Sequence, residues 1–331
     1  MAPNFVTNFD PRYGEAVAVA PGISRVVANN PSKLTFHGTG SYIVSGVGGS
    51  VPAPAAIIDA GPRLDDHVQA VLSAVSEHTV SHLLVTHTHG DHSPSTQPVK
   101  EATGAMSYGF GPHPAGAVDE SEADRQASED DRENDEDERT PEEIELHRPD
   151  TEFVPDVLVA DGDVIEGDGF TFEAIATPGH ISNHLCFAHL ESNSIFTGDH
   201  VMGWSTTIIP PPDGDMGHYL DSLRRLLDRP ETTYYPTHGA PITDPKPFVE
   251  QLLAHRLQRE HQILALLDES ARSIPDMVAI MYANVDEKLH KPAARSVEAH
   301  LIYLERQQRV RREAEVEGEG AGEDAAVYFL T

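Results

Sequence analysis

The feature that most constrains this chain is a turn crowded with metal-type side chains directly after a run of β-forming residues. The stretch LLVTHTHGDHS, residues 83–93, places His87, His89, Asp91 and His92 within six positions. Four titratable groups this close would repel one another, or would have to give up their hydration, unless a cation lies among them. The segment therefore predicts a strand that ends in a metal-binding turn.

Three further segments carry a ligand-type residue just after a predicted strand: ATPGH ends at His180, FTGD at Asp199, and YPTHG contains His238. Alone, His180 or His238 would more often be an ordinary surface histidine. In layered α/β folds, however, ligands gather at the carboxyl ends of strands, so distant residues can converge. Two metal ions about 3.5–4 Å apart need such a set of donors, with one carboxylate shared between them. Imidazole and carboxylate without thiolate favour zinc, with iron or manganese as alternatives.

Most of the chain alternates between strand-like and helix-like segments, which predicts an α/β fold with sheets covered by helices. After about residue 245 the pattern changes to a long amphipathic helix, two further helices and a hairpin formed by RVRREAEV and AAVYFLT. The expected buried stripe of the long helix contains Phe248, Leu252, Leu253, Leu257, Leu264 and Leu267. Three helices and a hairpin indicate a winged-helix-like module. The sequence therefore predicts a catalytic domain at residues 1–245 and a C-terminal domain at residues 246–331.

The formal net charge of −31 is concentrated in an acidic run at residues 119–145, with a second acidic patch at residues 313–324. The first run has too few apolar residues to offset its ordering entropy, so we expect a disordered insert at about residues 115–148 that serves solubility rather than partner binding. The single cysteine, Cys186, lies in the alternating run HLCFAHL and is expected to be a buried strand thiol. With no export signal and no transmembrane segment recognised, a cytoplasmic protein without membrane contact is expected.

The ordered motifs HxHxDH, TPGH, TGD and THG resemble the metallo-β-lactamase superfamily. The flanking segments NPSKLTFHGTGSYIV, DGDVIEGDGFTFEAIATPGH and HRLQREHQI resemble its β-lactamase-like protein 2 group. The resemblance implies a four-layer αββα sandwich followed by a small helical winged-helix-like domain. It also implies two metal ions held by seven side chains, which are His87, His89 and His180 for the first, Asp91, His92 and His238 for the second, and Asp199 for both.

In such a site, a hydroxide held between the two ions would be the nucleophile, and Asp91 would also steer or relay a proton. His184 follows His180 by four residues and could donate to a developing oxyanion, with a supporting or packing role as the alternative. Asp59 of IIDAG resembles an aspartate that orients the ligand loop, unless it is a simple turn residue. Gly40 stands where the group usually has asparagine.

The favoured function is metal-dependent hydrolysis of a small ester, thioester or lactone. The loop GWSTTIIPPPDGD supplies Trp204, Ile208, Ile209 and three prolines as a stiff apolar wall for an acyl chain or flat ring, or else packs over the core. The alternative is a single-strand endoribonuclease, because six basic residues face two acidic ones between Lys291 and Arg312. Hydrolysis of β-lactams is expected only as a side activity, since Asp199 stands where many true β-lactamases have Cys or Ser. A non-enzymatic partner-binding scaffold is a further alternative, and the chain could also form a homo-oligomer.

Overall fold

The computed structural model describes residues 3–46, 52–114, 148–284, 290–314 and 326–331. The acidic insert predicted at about residues 115–148 lies outside these ranges except for its last residue. The second acidic patch lies outside them from residue 315 onward.

The described residues form two large sheets, one small sheet and six helices. The first sheet has the strand order β1 to β7, with β1 Val17–Ala20, β2 Ile23–Val27, β3 Gly40–Ser45, β4 Ala53–Ile58, β5 His78–Leu84, β6 Met106–Gly109 and β7 Val157–Leu158. The second has the order β13-β12-β11-β10-β9-β8, with β8 Val164–Gly167, β9 Phe170–Ala176, β10 Leu185–His189, β11 Ser194–Gly198, β12 Thr233–Pro236 and β13 Ile242–Thr243. The third has the order β14-β16-β15, with β14 Arg272–Ser273, β15 Val310–Ala314 and β16 Ala326–Leu330. The helices are α1 Asp65–Ala74, α2 Thr96–Thr103, α3 Met216–Leu227, α4 Pro245–Glu269, α5 Ile274–Met281 and α6 His290–Arg306.

The two large sheets pack face to face, and the alternation of side chains along each strand sorts residues between layers. In β10, Leu185 and Phe187 point into the core between the sheets, whereas Cys186 and Ala188 point toward the outer layer of helices. Helices α1 and α2 cover the first sheet, and α3 covers the second. The predicted four-layer αββα sandwich is therefore confirmed, as is the burial of Cys186.

Local sequence explains where the covering helices begin and end. Helix α3 begins after Asp215, whose side chain accepts a hydrogen bond from the His218 backbone N–H at 2.9 Å. Helix α2 was not predicted. Its first turn contains Pro98, which is tolerated because backbone N–H groups in the first turn have no helical partner, so a residue without an N–H loses no hydrogen bond. It ends at Gly104, which adopts a left-handed conformation with φ 75°.

Helix α4 is shared between the two parts of the chain. Its first half packs through Phe248 and Leu252 against the outer layer of the second sheet, and its second half packs through Ile263 and Leu267 against α5, α6 and the small sheet. The predicted long helix, later helices and hairpin are confirmed, with β14 as an unpredicted third strand. The domain division at residues 245/246 remains a prediction, because the described packing continues across it.

The buried stripe of α4 differs from the predicted one. Leu257 and Leu264 were expected on the buried face but are only half-buried. The buried positions at helical spacing are instead taken by Arg256 and Glu260, which are 4% and 6% exposed. Polar residues thus occupy the middle of the face that α4 turns toward the rest of the protein.

The sheet topology places several strand ends at one edge of the sandwich. Strand β5 runs parallel to β4 and β6, and β11 runs parallel to β12. Parallel neighbours bring their carboxyl ends, and the loops that follow them, to the same side of a sheet. Among the described residues, no helix is both long enough and apolar enough to span a membrane.

Candidate metal centre

The predicted ligands meet at the carboxyl ends of β5, β9, β11 and β12. The loop after β5 carries four of them, and each of the other three strands is followed within a few residues by one. Six of the seven side chains are buried and His89 is half-buried. Donor atoms within 4.8 Å of one another form two groups, His87 with His89 and His180, and Asp91 with His92 and His238, and a third set, His87 with His92 and Asp199, links them.

The first group consists of three imidazoles whose ring nitrogens point at one another. His89 Nδ1 lies 3.0 Å from His87 Nε2 and 3.0 Å from His180 Nε2. Nitrogen ligands around one tetrahedral zinc ion lie roughly 3.3 Å apart when each bond is about 2.0–2.1 Å long. The spacing of these three nitrogens therefore fits a single ion.

The second group combines two imidazoles with a carboxylate. Asp91 Oδ2 lies 3.5 Å from His92 Nε2 and 3.3 Å from His238 Nε2. Asp199 lies between the groups, with Oδ2 3.7 Å from His180 Nε2 and Oδ1 3.3 Å from His238 Nε2. One carboxylate thus presents one oxygen to each group of ligands.

The pKa values of the histidines are lowered in the first group and raised in the second. Burial, reinforced by neighbouring imidazoles, lowers the pKa of His87 and His89 well below the ordinary value, so both rings are neutral and can offer lone pairs. Burial also opposes the charged form of His238, but the Asp199 and Asp91 carboxylates outweigh it and raise its pKa to about 10. The carboxylates of Asp91 and Asp199 thus favour positive charge in the second group, as a site for a metal cation requires.

Two orphaned atoms support the fit of this donor set to metal ions. His92 Nε2 and Asp199 Oδ1 are buried, and neither has a hydrogen-bond partner among the described residues. They lie 3.5 Å apart. Buried polar atoms without partners are rare in native proteins, and an absent ion is one recognised reason for them.

A buried carboxylate holds the ligand loop from behind. Asp59 accepts hydrogen bonds from the Thr86 backbone N–H at 2.8 Å and hydroxyl at 2.7 Å, and its Oδ2 lies 3.0 Å from His92 Nδ1. A carboxylate on the far nitrogen of a ligand histidine fixes the tautomer and the ring orientation. The predicted supporting position of Asp59 is confirmed.

Other residues that hold the ligands were not predicted. Thr39 donates from its hydroxyl to Asp91 Oδ2 at 2.8 Å, and the Gly38 carbonyl accepts from His238 Nδ1 at 3.3 Å. The carbonyl of Ile208 accepts from His180 Nδ1 at 2.6 Å. Backbone carbonyls leave no side-chain signal in a sequence, whereas Thr39 lies in the HGTG segment, next to the glycine that departs from the group's usual asparagine.

His184 lies beneath the ligands and is fully buried. Its Nδ1 lies 2.8 Å from Thr177 Oγ1, and its Nε2 accepts a hydrogen bond from the Asp199 backbone N–H at 3.2 Å. Gly198, with φ 50°, allows this approach, because a Cβ there would lie 2.6 Å from His184 Nε2. Both ring nitrogens therefore contact protein groups, which favours the supporting role over donation to an oxyanion.

Gly40 and the proline-rich loop can also be located. A Cβ at Gly40 would lie 2.8 Å from Arg25 Cδ and 3.1 Å from the Thr237 carbonyl oxygen, so the position has no room for a larger residue. In the loop, Ile209 belongs to the core beneath α3, whereas Trp204 and Ile208 are half-buried. Of the three prolines, Pro211 is buried, Pro210 is half-buried and Pro212 is exposed, so the predicted apolar wall loses Ile209 and Pro211 to the interior.

Residues 41–238 match the profile of the metallo-beta-lactamase superfamily, and residues 273–319 match the beta-lactamase associated winged helix domain. An atrochrysone carboxyl ACP thioesterase of Aspergillus chevalieri is 27% identical over 293 residues, covering 86% of this chain and 80% of that protein. A metallo-beta-lactamase family protein of Thermus thermophilus superposes with a TM-score of 0.68 at 24% identity, covering 95% of this chain and 100% of that one. A beta-lactamase domain protein of Burkholderia ambifaria gives 0.72 at 20% identity, with 98% and 96% covered.

The superfamily match extends over more than half of the chain, and it falls on the sandwich that carries the ligand cluster. The protein belongs to the metallo-beta-lactamase superfamily and is a hydrolase of that superfamily. The winged-helix match confirms the predicted class of the C-terminal module.

Proposed function

We propose that the protein hydrolyses a small acyl thioester or a related ester, using two divalent metal ions, zinc in the first instance. The observation that carries the proposal is the position of Asp199, whose two carboxylate oxygens face the two groups of ligands separately. His87, His89 and His180 would hold one ion, and Asp91, His92 and His238 the other. Bound divalent ions would supply Lewis acidity, activating a water molecule and polarising the scissile carbonyl.

The protein's own side chains orient this chemistry. Burial opposes the charged form of Asp91, but the neighbouring His92 and His238 imidazoles lower its pKa below the usual range, so it stays ionised and can accept a proton. The Thr39 hydroxyl fixes Asp91 Oδ2, the oxygen that faces His92 and His238. His184 acts as a positioning residue, because it holds the backbone of Asp199.

A half-buried aromatic pair beside the ligands supports an acyl substrate. The rings of Phe36 and Trp204 stack with centroids 4.7 Å apart and an interplanar angle of 10°. Trp204 packs against Gly239, where a Cβ would lie 3.2 Å from Trp204 Cδ1, and Gly239 directly follows the ligand His238. Phe36 has φ 58°, which is strained for a bulky residue and is found mostly at functional sites. A flat or aliphatic acyl group fits such a surface.

The relatives support thioester chemistry in particular, since the Aspergillus chevalieri protein is named an acyl carrier protein thioesterase. The endoribonuclease alternative loses support in the C-terminal module. Three of its predicted phosphate-binding arginines form intramolecular ion pairs, namely Arg306 with Asp215, Arg309 with Glu260 and Arg311 with Glu313. Paired arginines have less charge to offer a polyanion.

The test combines metal analysis with a substrate panel. Protein purified without chelator should contain about two metal equivalents per chain. Acyl-CoA thioesters, p-nitrophenyl esters and lactones, with aliphatic and aromatic acyl groups, are then assayed beside labelled single-stranded RNA, before and after chelation. We expect metal-dependent turnover of thioesters. Cleavage of RNA alone, or a metal-free protein, would overturn the proposal.

Trp204→Ala should raise KM for aromatic acyl groups more than for acetyl, because only the larger group reaches the Phe36–Trp204 pair. Trp204→Phe, which keeps an aromatic ring against Phe36, is the matched control and should resemble wild type. Equal effects of Trp204→Ala on both acyl classes would remove the aromatic pair from substrate binding. In the wild type, Trp204 is the only tryptophan in the chain, so its fluorescence should change when an aromatic acyl substrate binds.

A further inference from the structure

A buried arginine connects the C-terminal module to the loop that holds a candidate ligand. Arg256, in the middle of α4, is 4% exposed. Its Nη2 donates to the Thr207 carbonyl at 2.5 Å, and its Nη1 donates to Ser296 Oγ on α6 at 3.4 Å. One guanidinium group therefore contacts both the module and the loop between β11 and α3.

The loop passes this contact on to His180. The Thr207 hydroxyl lies 3.2 Å from His180 Nδ1, and the next carbonyl, that of Ile208, accepts from the same nitrogen at 2.6 Å. The His180 ring therefore takes its orientation from Thr207, whose carbonyl Arg256 holds, and from the adjacent Ile208. His180 Nε2 is the nitrogen directed at the other two histidines of the first group.

Packing alone does not account for an arginine at this position. Its neighbours on the buried face of α4 include Leu252 and Ile263, so an apolar side chain would continue the stripe. No carboxylate of the described residues forms an ion pair with Arg256, and burying a charge without one is costly. The planar guanidinium nevertheless offers donors in fixed directions, which suits two acceptors on separate elements. These two contacts, together with the Tyr219 ring whose centroid lies 5.3 Å from the guanidinium carbon, offset that cost.

We propose that Arg256 is a positioning residue through which the C-terminal module orients His180 for metal binding, by way of Thr207 and Ile208. The inference rests on the proposed function in one respect, since it takes His180 to be a metal ligand. It adds a role for the C-terminal module in the metal site itself. Outer partners of ligand histidines typically contribute about 10–100-fold to metal affinity.

The test measures zinc affinity rather than turnover. Full-length Arg256→Met is stripped of metal and titrated with zinc against a chromophoric chelator. We expect one of two zinc ions to bind about 10–100-fold more weakly than in wild type, with the other unchanged. Trp204, three residues before Thr207 in the same loop, should change its fluorescence in the same variant. Arg259→Met is the matched control, because Arg259 lies one turn further along α4 and contacts Gln262 and Tyr282 within the module.

Zinc affinity in Arg256→Met equal to that of the Arg259→Met control would overturn the inference. If Arg256→Met does not fold, Arg256→Lys decides, since it keeps the charge and the aliphatic stem but not the planar fork. We expect Arg256→Lys to bind zinc more weakly than wild type, but by less than about 10-fold. Zinc affinity equal to that of the Arg259→Met control would overturn the inference in this variant too. A wild-type protein that binds no zinc would instead contradict the proposed function, so the two failures are distinguishable.

Discussion

Two buried polar clusters of the described residues shift the pKa of histidine in opposite directions. The strand-end cluster contains the seven candidate ligands, of which five are imidazoles and two are carboxylates. The interface cluster consists of Tyr219, Arg256 and His300, where α3, α4 and α6 meet. In the strand-end cluster, Asp199 and Asp91 raise the pKa of His238 to about 10 against the effect of burial. In the interface cluster, burial, followed by the nearby Arg256 cation, lowers the pKa of His300 to about 3.

The difference shows what carboxylates contribute to a buried histidine. Both ring nitrogens of His300 lack hydrogen-bond partners among the described residues, as does one ring nitrogen of His92. Only His92 faces carboxylates, so only the strand-end cluster can accept a metal ion or a proton at ordinary pH. A buried histidine without hydrogen-bond partners does not by itself indicate a metal site, because the charge of its neighbours decides whether a cation is favourable there.

The largest effect is expected from removing the shared charge of the strand-end cluster. Asp199→Asn keeps the shape of the side chain but offers no anion to either group of ligands. We expect kcat to fall by about 10²–10³-fold or more, together with a loss of bound metal, while the fold is retained. Steady-state kinetics, elemental analysis and circular dichroism measure the three quantities.

Asp221→Asn is the matched control, since Asp221 lies on the exposed face of α3 and pairs only with Arg224. It should leave kcat and metal content at wild-type levels. Turnover at the wild-type rate in Asp199→Asn would exclude a role for this carboxylate between the two groups. The strand-end cluster would then differ from the interface cluster only in pKa, not in function.

The sequence predicted the strand-end cluster well because its signal is local and chemically unusual. His87, His89, Asp91 and His92 lie within one turn, and each remaining ligand directly follows a recognisable strand. The sequence did not predict the backbone groups that hold these ligands, such as the Ile208 carbonyl, because every residue has a carbonyl. It also left the role of His184 open, since spacing along the chain does not say which way a ring points.

The fold was predictable where periodicity is strong and unpredictable where it is weak. Long, apolar elements such as β10 and α4 were found, whereas two-residue strands such as β7 and β13 carry too few residues for a period. The interface cluster was not predicted, for a different reason. Arg256 is one of many polar residues in an amphipathic helix, and the usual interpretation places such residues on the solvent side.

A smaller effect is expected from the interface cluster, in the pH dependence of stability. His300 has a folded-state pKa of about 3, below its ordinary value of 6.5. Between these values the unfolded chain binds more protons than the folded one, so stability rises with pH and is lost as pH falls from 6.5 toward 3. His300→Leu removes this loss. We expect the variant to lose roughly 2 kcal/mol less than wild type between pH 6.5 and 5, at most.

Urea denaturation at several pH values, with both proteins loaded with zinc, measures the difference. His261→Leu is the control, because His261 lies on the exposed side of α4. It should follow the wild-type pH dependence. A His300→Leu variant with an unchanged slope between pH 6.5 and 5 would mean that His300 is already protonated in the folded protein, and the contrast between the clusters would fail.

The smallest effect is expected at Cys186, which belongs to neither cluster. It lies on β10, so its reactivity measures how often the second sheet opens. Burial raises the pKa of its thiol to about 12, although the Thr177 hydroxyl opposes this. Because the thiolate is the reactive form, a disulfide reagent at pH 8 should label Cys186 only when the second sheet opens. Labelling rates in Asp199→Asn and His300→Leu should match wild type, since we expect neither change to loosen the sheet. Rapid labelling of either variant in native buffer would show that its effect on activity or pH dependence comes from general unfolding, and the charge argument would no longer be needed to explain it.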